Sequence, residues 1–532
     1  MFIMKKKKYS IIMFACLACE IFCFSSFVAS AGLNGFNIRD FGATGNGKTI
    51  DTKAINDAIS KASENGGGTV YFPPGTYLSG SIHLKSNITL YLEAGSIIEA
   101  ASDSLVQYDF PEPNEAGGHY QDFGHSHWKN SLIWGIGLEN ISILGPGLIY
   151  GRGLNPGYHN SGRPGGGLVY KDGGPGAGNK AIALRECNNV ILRDFSILHG
   201  GHFGILATGV SNMTIDNLKI DTNRDGMDID GCENVRVSNC SVNSPWDDAI
   251  CLKASYGLGK ITHCTDITIT NCFVAGNFDE GSMLDGTFTK SGKNFGAQKI
   301  GRIKFGTESN GDFRNITISN CVFDDCFGLA IESVDGSHIQ DVSVSNITMR
   351  DITSCPIFIR LGNRARGPDN PPVGTIRRIN INNITVSNAS GRFASIISGI
   401  PGHPIEDLAI SHIRINMEGG GTKADADIFP PERERSYPEP TMFGTTPAYG
   451  FYIRHAGGIE ISHAKIDFND PEYRPAFVLQ DVKDASFDHI NALQGADNAP
   501  YFDLRNTSGI SIKDSENLTD IRLVPEIERK KI

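Results

Sequence analysis

The chain has 532 residues, 62 of them glycine, with 40% hydrophobic and 20% charged residues and a formal net charge of −11. Glycine stands above its usual share of about 7% without a collagen period, and it comes with abundant Asn, Ile, Val and Thr, which points to many short strands joined by tight turns. A pI near 5.7 excludes nucleic-acid binding by bulk charge but leaves local recognition of an acidic substrate open. Beyond the first thirty residues no apolar run approaches the roughly 18–20 needed to span a bilayer.

The amino terminus reads as an address. Lys5 to Lys8 precede an apolar stretch over 11–28, and Ala29-Ser-Ala31 offers small residues for cleavage. Residues 1–31 are therefore expected to be a signal peptide, and the mature protein to be secreted or periplasmic. Cys16, Cys19 and Cys23 leave with it. The remaining nine are Cys187, Cys232, Cys240, Cys251, Cys264, Cys272, Cys321, Cys326 and Cys355. An odd number leaves at least one outside any internal bridge, and none shows zinc-ligand spacing. Most are expected to be small buried side chains, and no metal or cofactor is called for.

Residues 32–130 are expected to hold an N-terminal cap and the first coils. Asp51-Thr-Lys-Ala-Ile-Asn-Asp-Ala-Ile-Ser-Lys-Ala predicts a helix capped by Asp51 or Thr52, with Ala54, Ile55, Ala58, Ile59 and Ala62 on one face. The glycines 66–68 stop it, and a strand starts at Thr69. Such a helix serves as a lid, because bare strand edges pair with other chains.

Residues 131–532 carry a repeated phrase, an Asn or Asp followed by alternating β-branched residues. It stands as Asn140-Ile-Ser-Ile, Asn189-Val-Ile-Leu, Asn212-Met-Thr-Ile, Asn234-Val-Arg-Val, Asp266-Ile-Thr-Ile, Asn315-Ile-Thr-Ile and Asp341-Val-Ser-Val, and it fades through Gly509-Ile-Ser-Ile. The spacing is tightest from Asn189 to Asn212 to Asn234 and from Asn315 to Asp341. A period of roughly 20–30 residues built from strands alone signals a solenoid. One turn cannot bury its own apolar face, so turns stack about 4.8 Å apart and share a core. The fold expected is all-β: a single-stranded right-handed parallel β-helix. Long loops are expected at 111–129 and as an insertion near 418–449.

The densest carboxylate cluster is Asn223-Arg-Asp-Gly-Met-Asp-Ile-Asp230, followed by Trp246-Asp-Asp-Ala-Ile-Cys-Leu-Lys253. Asp225 and Asp247 stand one repeat apart, with the same spacing as Asn212 and Asn234, so equivalent positions on successive coils are expected. Asp248 is brought alongside by a local bend. Crowded carboxylates cannot all ionise at their free pKa, which supplies an acid and a base at one pH, as glycosidic hydrolysis requires.

These two motifs resemble those of the family 28 glycoside hydrolases, the polygalacturonase group, which read Asn-Thr-Asp-Gly and Asp-Asp-Cys-Ile-x-x-Lys. Asp40-Phe-Gly-Ala and Pro73-Pro-Gly-Thr-Tyr also resemble pectin-degrading β-helix proteins, so the likeness runs from about residue 36 to about 400. It implies a pectin-lyase-like solenoid that inverts at the anomeric carbon. Asp247 would be the general acid, and Asp225 and Asp248 would position and deprotonate the attacking water, with about 6.5–9.5 Å between acid and base. Asp228 and Asp230 match the pattern as structural residues. Lys253 closes the second motif.

Three departures stand out. Arg224 replaces the Thr of the first motif. The third motif, Gly-His-Gly, has no histidine counterpart in Lys299-Ile-Gly-Arg-Ile-Lys-Phe-Gly-Thr-Glu308. The fourth, Arg-Ile-Lys, binds the substrate carboxylate in the family; here its place falls on Ala330 and Glu332, while Arg302-Ile-Lys304 spells it one coil early. A carboxylate clamp shifted by one coil and a substrate in which galacturonate is linked to rhamnose or a branch are the expectations that follow. His202, Arg224, Lys253, Arg302, Lys304 and Arg360 are the candidate substrate-binding residues. Arg364 and Arg366 are further cations near the cleft, His125, His127 and Trp128 are candidates to close one end of it, and Glu308 is a candidate partner for Arg302. The expected partner is a pectic saccharide, with the chain a monomer. A calcium-dependent lyase and a non-catalytic carbohydrate-binding solenoid are the rival functions.

Overall fold

A strand with Ile or Val at every second position has one apolar face and two unpaired edges. Stacking such strands in parallel satisfies both demands at once. The computed structural model describes residues 35–121, 124–156, 158–160, 168–170, 176–291 and 298–532; the expected signal peptide lies outside them. The chain is a right-handed parallel β-helix.

The repeated phrases form one continuous ladder. Val190 pairs with Met213, Met213 with Val235, Val235 with Ile267 and Ile267 with Ile316, all buried, and the column runs on through Val342, Ile379, Leu408, Ile459, Ala485 and Ile510. A second ladder joins Phe203–Thr208, Asp225–Asp230, Ile250–Ala254, Ile303–Ser309, Leu329–Ser333 and Ile357–Leu361 in order. That ladder carries the candidate site.

The asparagine that opens each phrase does more than start a strand. Asn140, Asn189, Asn212 and Asn234 all hold left-handed backbone, with φ between 52° and 57°. Asn tolerates this region because its short amide bonds locally. The amides also bond to each other between coils, Asn189 Nδ2 to Asn140 Oδ1 at 2.7 Å and Asn212 Nδ2 to Asn189 Oδ1 at 3.2 Å. A second left-handed column runs Asn320, Asn346, Asn383 and then His412, His463 and His489, whose rings stack 4.6 and 4.7 Å apart.

The helix Thr52–Glu64 buries Ile55, Ala58, Ile59 and Ala62 over the first coil, as expected. Asp51 stands at its N-cap, as expected. Asp51 makes no side-chain cap bond; its carboxylate accepts from the N–H groups of Thr44 and Gly45 instead. The last coil is covered by Ile521–Leu523 and Ile527–Lys531, which pair antiparallel with Phe502–Lys513. All nine cysteines of the described residues are buried and unbridged. Among those residues no helix is long and apolar enough to cross a membrane.

If left-handed backbone sets the Asn212 position, Asn212→Val costs about 1–2 kcal/mol in urea unfolding and Asn212→Gly costs less. Equal losses would show that the amide ladder, and not the backbone, decides it.

Candidate active site

Register decides where the carboxylates meet. Phe203 pairs with Asp225, whereas Met227, Asp228 and Asp230 pair with Ile250, Cys251 and Lys253, so the coil is longer by one position at this rung. The Gly226 N–H donates to the Asp248 carbonyl at 3.0 Å. Asp248, and not Asp247, therefore takes the position equivalent to Asp225. The longer coil places Asp247 in the preceding turn, where its side chain is 23% exposed against 2–3% for Asp225 and Asp248.

The three carboxylates still converge: one oxygen of each lies within 4.8 Å of the other two. This is closer than the roughly 6.5–9.5 Å expected between acid and base, because two of the groups stand on adjacent rungs and the third is a sequence neighbour. Burial, with Asp247 and Asp228 adding to it, pushes Asp225 well above the usual carboxylate range. Burial also raises Asp248, but Lys304, Arg302 and Lys253 outweigh it and hold that group below its ordinary value. One wall of the triad thus favours a proton and the other a charge.

Arg224, Arg302, Lys304 and Lys253 surround the triad. Arg224 Nε lies 3.1 Å from Asp247 Oδ2 and 4.0 Å from Asp225 Oδ2. Arg302 Nε donates to Asp248 Oδ1 at 2.8 Å while its two Nη groups hold Glu439. Lys304 Nζ lies 3.4 Å from Asp248 Oδ2 and 3.6 Å from Glu332 Oε2, and donates to the Tyr437 hydroxyl at 3.3 Å. Lys253 Nζ bridges Asp228 at 3.5 Å and Glu308 at 2.9 Å. The displaced motif is accommodated by its neighbour: Lys304 pairs in register with Ala330, whose small side chain leaves the lysine room. Glu332, at the place where the resemblance leads one to expect a cation, is fully buried; burial pushes its carboxyl up to about 8 against the opposing pull of Lys304 and Arg302, and its Oε1 has no hydrogen-bond partner among the described residues.

Behind the triad, Asp230 accepts from both the N–H and the hydroxyl of Ser255, a structural role. Asp228 meets His125 Nε2 at 3.1 Å as well as Lys253. His202 is buried and stacks on Phe203 at 4.2 Å. Two segments wall the recess. Residues 111–121 and 124–129 reach it, through His125 and through Gln121, whose Nε2 donates to Asn310 at 3.3 Å. Residues 420–443 form a strap down the later coils. Beyond Arg302 and Lys304, the strap is held by arginines that donate to its backbone: Arg360 to the Glu432 carbonyl, Arg454 to Pro430 and Arg505 to Ile428.

Several residues stand elsewhere than the sequence suggests. Arg360 is 1% exposed and spends its donors on Ser398, Gly399 and the strap, so it faces the strap and not a sugar. Glu308 does not back Arg302; it pairs with Lys253, and it lies 3.7 Å from Arg364 and 3.9 Å from Arg366. Trp128 is wholly buried, its Nε1 donating to Thr208, so it packs beneath the wall and does not line it. Tyr437 and Glu439 escape sequence reasoning, because their strap segment carries no repeat that aligns them with a coil.

Known proteins bear on this geometry. A family model described as "Rhamnogalacturonase A/epimerase, pectate lyase-like" matches residues 35–245, and one for a right-handed β-helix region matches residues 171–366. A probable polygalacturonase of Vitis vinifera is 25% identical over 433 residues, covering 78% of this chain and 81% of its own. An exopolygalacturonase of Zea mays is 23% identical, covering 75% and 87%. The chain is similar to polygalacturonases over most of its length, at about a quarter identity. The fold agrees with that of a Yersinia enterocolitica family 28 exopolygalacturonase, at 20% identity and a TM-score of 0.60 over 87% of this chain and 78% of that one.

The Glu332 carboxyl yields a pH signature. Its folded value near 8 lies above the ordinary 4.5, so between those limits the folded chain holds a proton that the unfolded chain has released. Its contribution to stability is present at low pH and is lost as pH rises through that window. Glu332→Gln makes the urea midpoint fall less steeply between pH 5 and pH 8 than in the wild type. Identical slopes would place the charge elsewhere.

Proposed function

We propose that the protein is an inverting glycoside hydrolase that removes galacturonosyl residues from the ends of pectic fragments, those containing rhamnose or branches in particular. The observation that carries hydrolysis is the convergence of Asp225, Asp247 and Asp248 in unlike electrostatic settings; inversion is taken from the resemblance of the motifs to family 28 and not from the carboxylate spacing. Asp248, held as a charge, accepts the proton of the attacking water. Asp225, on the adjacent rung, positions that water. Asp247, turned toward solvent and within 4.8 Å of the carboxyl oxygen on which Asp225 holds its proton, passes a proton to the departing glycosidic oxygen. The water oxygen bonds to the anomeric carbon as the bond to the leaving sugar breaks.

Action at chain ends is supported by the two walls. The strap covers the coils from Lys304 to Arg505, where a long polymer would otherwise lie. The rhamnogalacturonase-type family match supports a rhamnose-containing substrate. The cations crowding the triad favour hydrolysis over a lyase that uses these carboxylates to hold calcium, since they already compensate the negative charge. The basic and apolar sequence of 1–31 supports action outside the cytoplasm.

Incubation with homogalacturonan and with rhamnose-containing fragments tests the proposal. The expected product is free galacturonate, its anomeric configuration inverted by NMR, released faster from the second class. Asp247→Asn lowers kcat by about 10³-fold or more. Unsaturated, ultraviolet-absorbing products would show a lyase, and equal rates on both substrates would overturn the preference.

A further inference from the structure

The cations expected to bind a substrate carboxylate are largely committed. Arg302 is shared between Asp248 and Glu439, Lys304 between Asp248, Glu332 and Tyr437, and Arg360 donates to the strap. Two other features flank the recess. Tyr437 is 54% exposed although its hydroxyl is held by Lys304, with the lysine 5.3 Å from the ring centre. An aromatic ring fixed at its polar end and open on its body is a platform for the C–H face of a sugar. Beside it, the Asn363 N–H donates to the Glu434 carbonyl at 2.7 Å, so the turn bearing Arg364 and Arg366 abuts the strap just before Tyr437.

That turn is pre-organised. Asp335 accepts from Arg364 Nε at 2.9 Å and from the Arg366 N–H at 2.9 Å, and Asn310 Nδ2 donates to the Arg366 carbonyl at 2.6 Å. Arg364 Nη1 is buried without a hydrogen-bond partner, while the Arg366 side chain is 46% exposed and 3.9 Å from Glu308. An exposed guanidinium steadied by a fixed, buried one offers paired N–H donors that match the flat, two-oxygen geometry of a carboxylate.

Resting on the hydrolase assignment, we propose that Tyr437 and the Arg364–Arg366 turn form the subsite for the uronic acid sugar, with Tyr437 stacking on the ring and Arg366, backed by Arg364, binding its carboxylate. The strap thereby sets substrate choice as well as closing the groove. Titration calorimetry of the full chain with D-galacturonate and with D-galactose tests this apart from any turnover. Galacturonate binds the wild type about tenfold or more tightly than galactose. Arg366→Gln removes most of that preference and Arg366→Lys restores part of it, while Tyr437→Ala weakens both sugars and Tyr437→Phe does so less. Equal binding of the two sugars, no binding of either, an unchanged preference in Arg366→Gln, or unchanged binding in Tyr437→Ala would each overturn the subsite. Loss of hydrolysis with this binding pattern intact would fault the hydrolase assignment alone.

Discussion

Each coil hydrogen-bonds in register to the next, and nearly everything the site does follows from that constraint. The inward column is filled with Ile, Val and Leu, whose burial drives the stacking. Once that column is fixed, the outward residues have no freedom of height: they stand about 4.8 Å above their counterparts. Asp225 and Asp248 are counterparts of this kind, and so are Lys304 and Ala330. A cluster of like charges, which would disperse in a flexible chain, is held together because the apolar column behind it outweighs the repulsion.

The charges themselves are resolved by asymmetry. Asp248 faces Arg302 and Lys304, while Asp225 is deep, close to Asp247 and Asp228. Moving the Arg-Ile-Lys sequence one coil toward the triad brings two cations against a single carboxylate. The recessed Glu332 then stands behind Lys304 in place of a cation. The strap completes the balance through Glu439 and Tyr437, and arginines from successive coils donate to its carbonyl oxygens. Donating to backbone oxygens satisfies buried guanidinium groups with little demand on the strap's own sequence.

Much of this is legible in the residues. The alternating phrases imply the parallel stack because burial on one face imposes period two, and the spacing of Asp225 and Asp247 points to adjacent coils. The displacement from Asp247 to Asp248 has a plain cause: the coil lengthens by one position at a turn that no hydrophobic pattern marks. Arg360 is misleading because an arginine beside a cleft looks the same in sequence whether it faces sugar or a crossing segment. The insertion near 418–449 is legible as a long loop, but its course as a strap, like the C-terminal antiparallel cover, is hidden for a similar reason: the contacts are to backbone or to strand edges, which leave no signature in side-chain periodicity. The asparagine columns are visible as repetition, but their left-handed backbone is not.

The central claim is that Asp225, Asp247 and Asp248 act as one hydrolytic unit. Comparing kcat for the three single Asn variants with that of the triple variant on one pectic fragment tests it most directly. Groups acting in one step give a triple variant no slower than about threefold below the worst single one. Losses that multiply across the three positions, or a single variant with wild-type turnover, would contradict it.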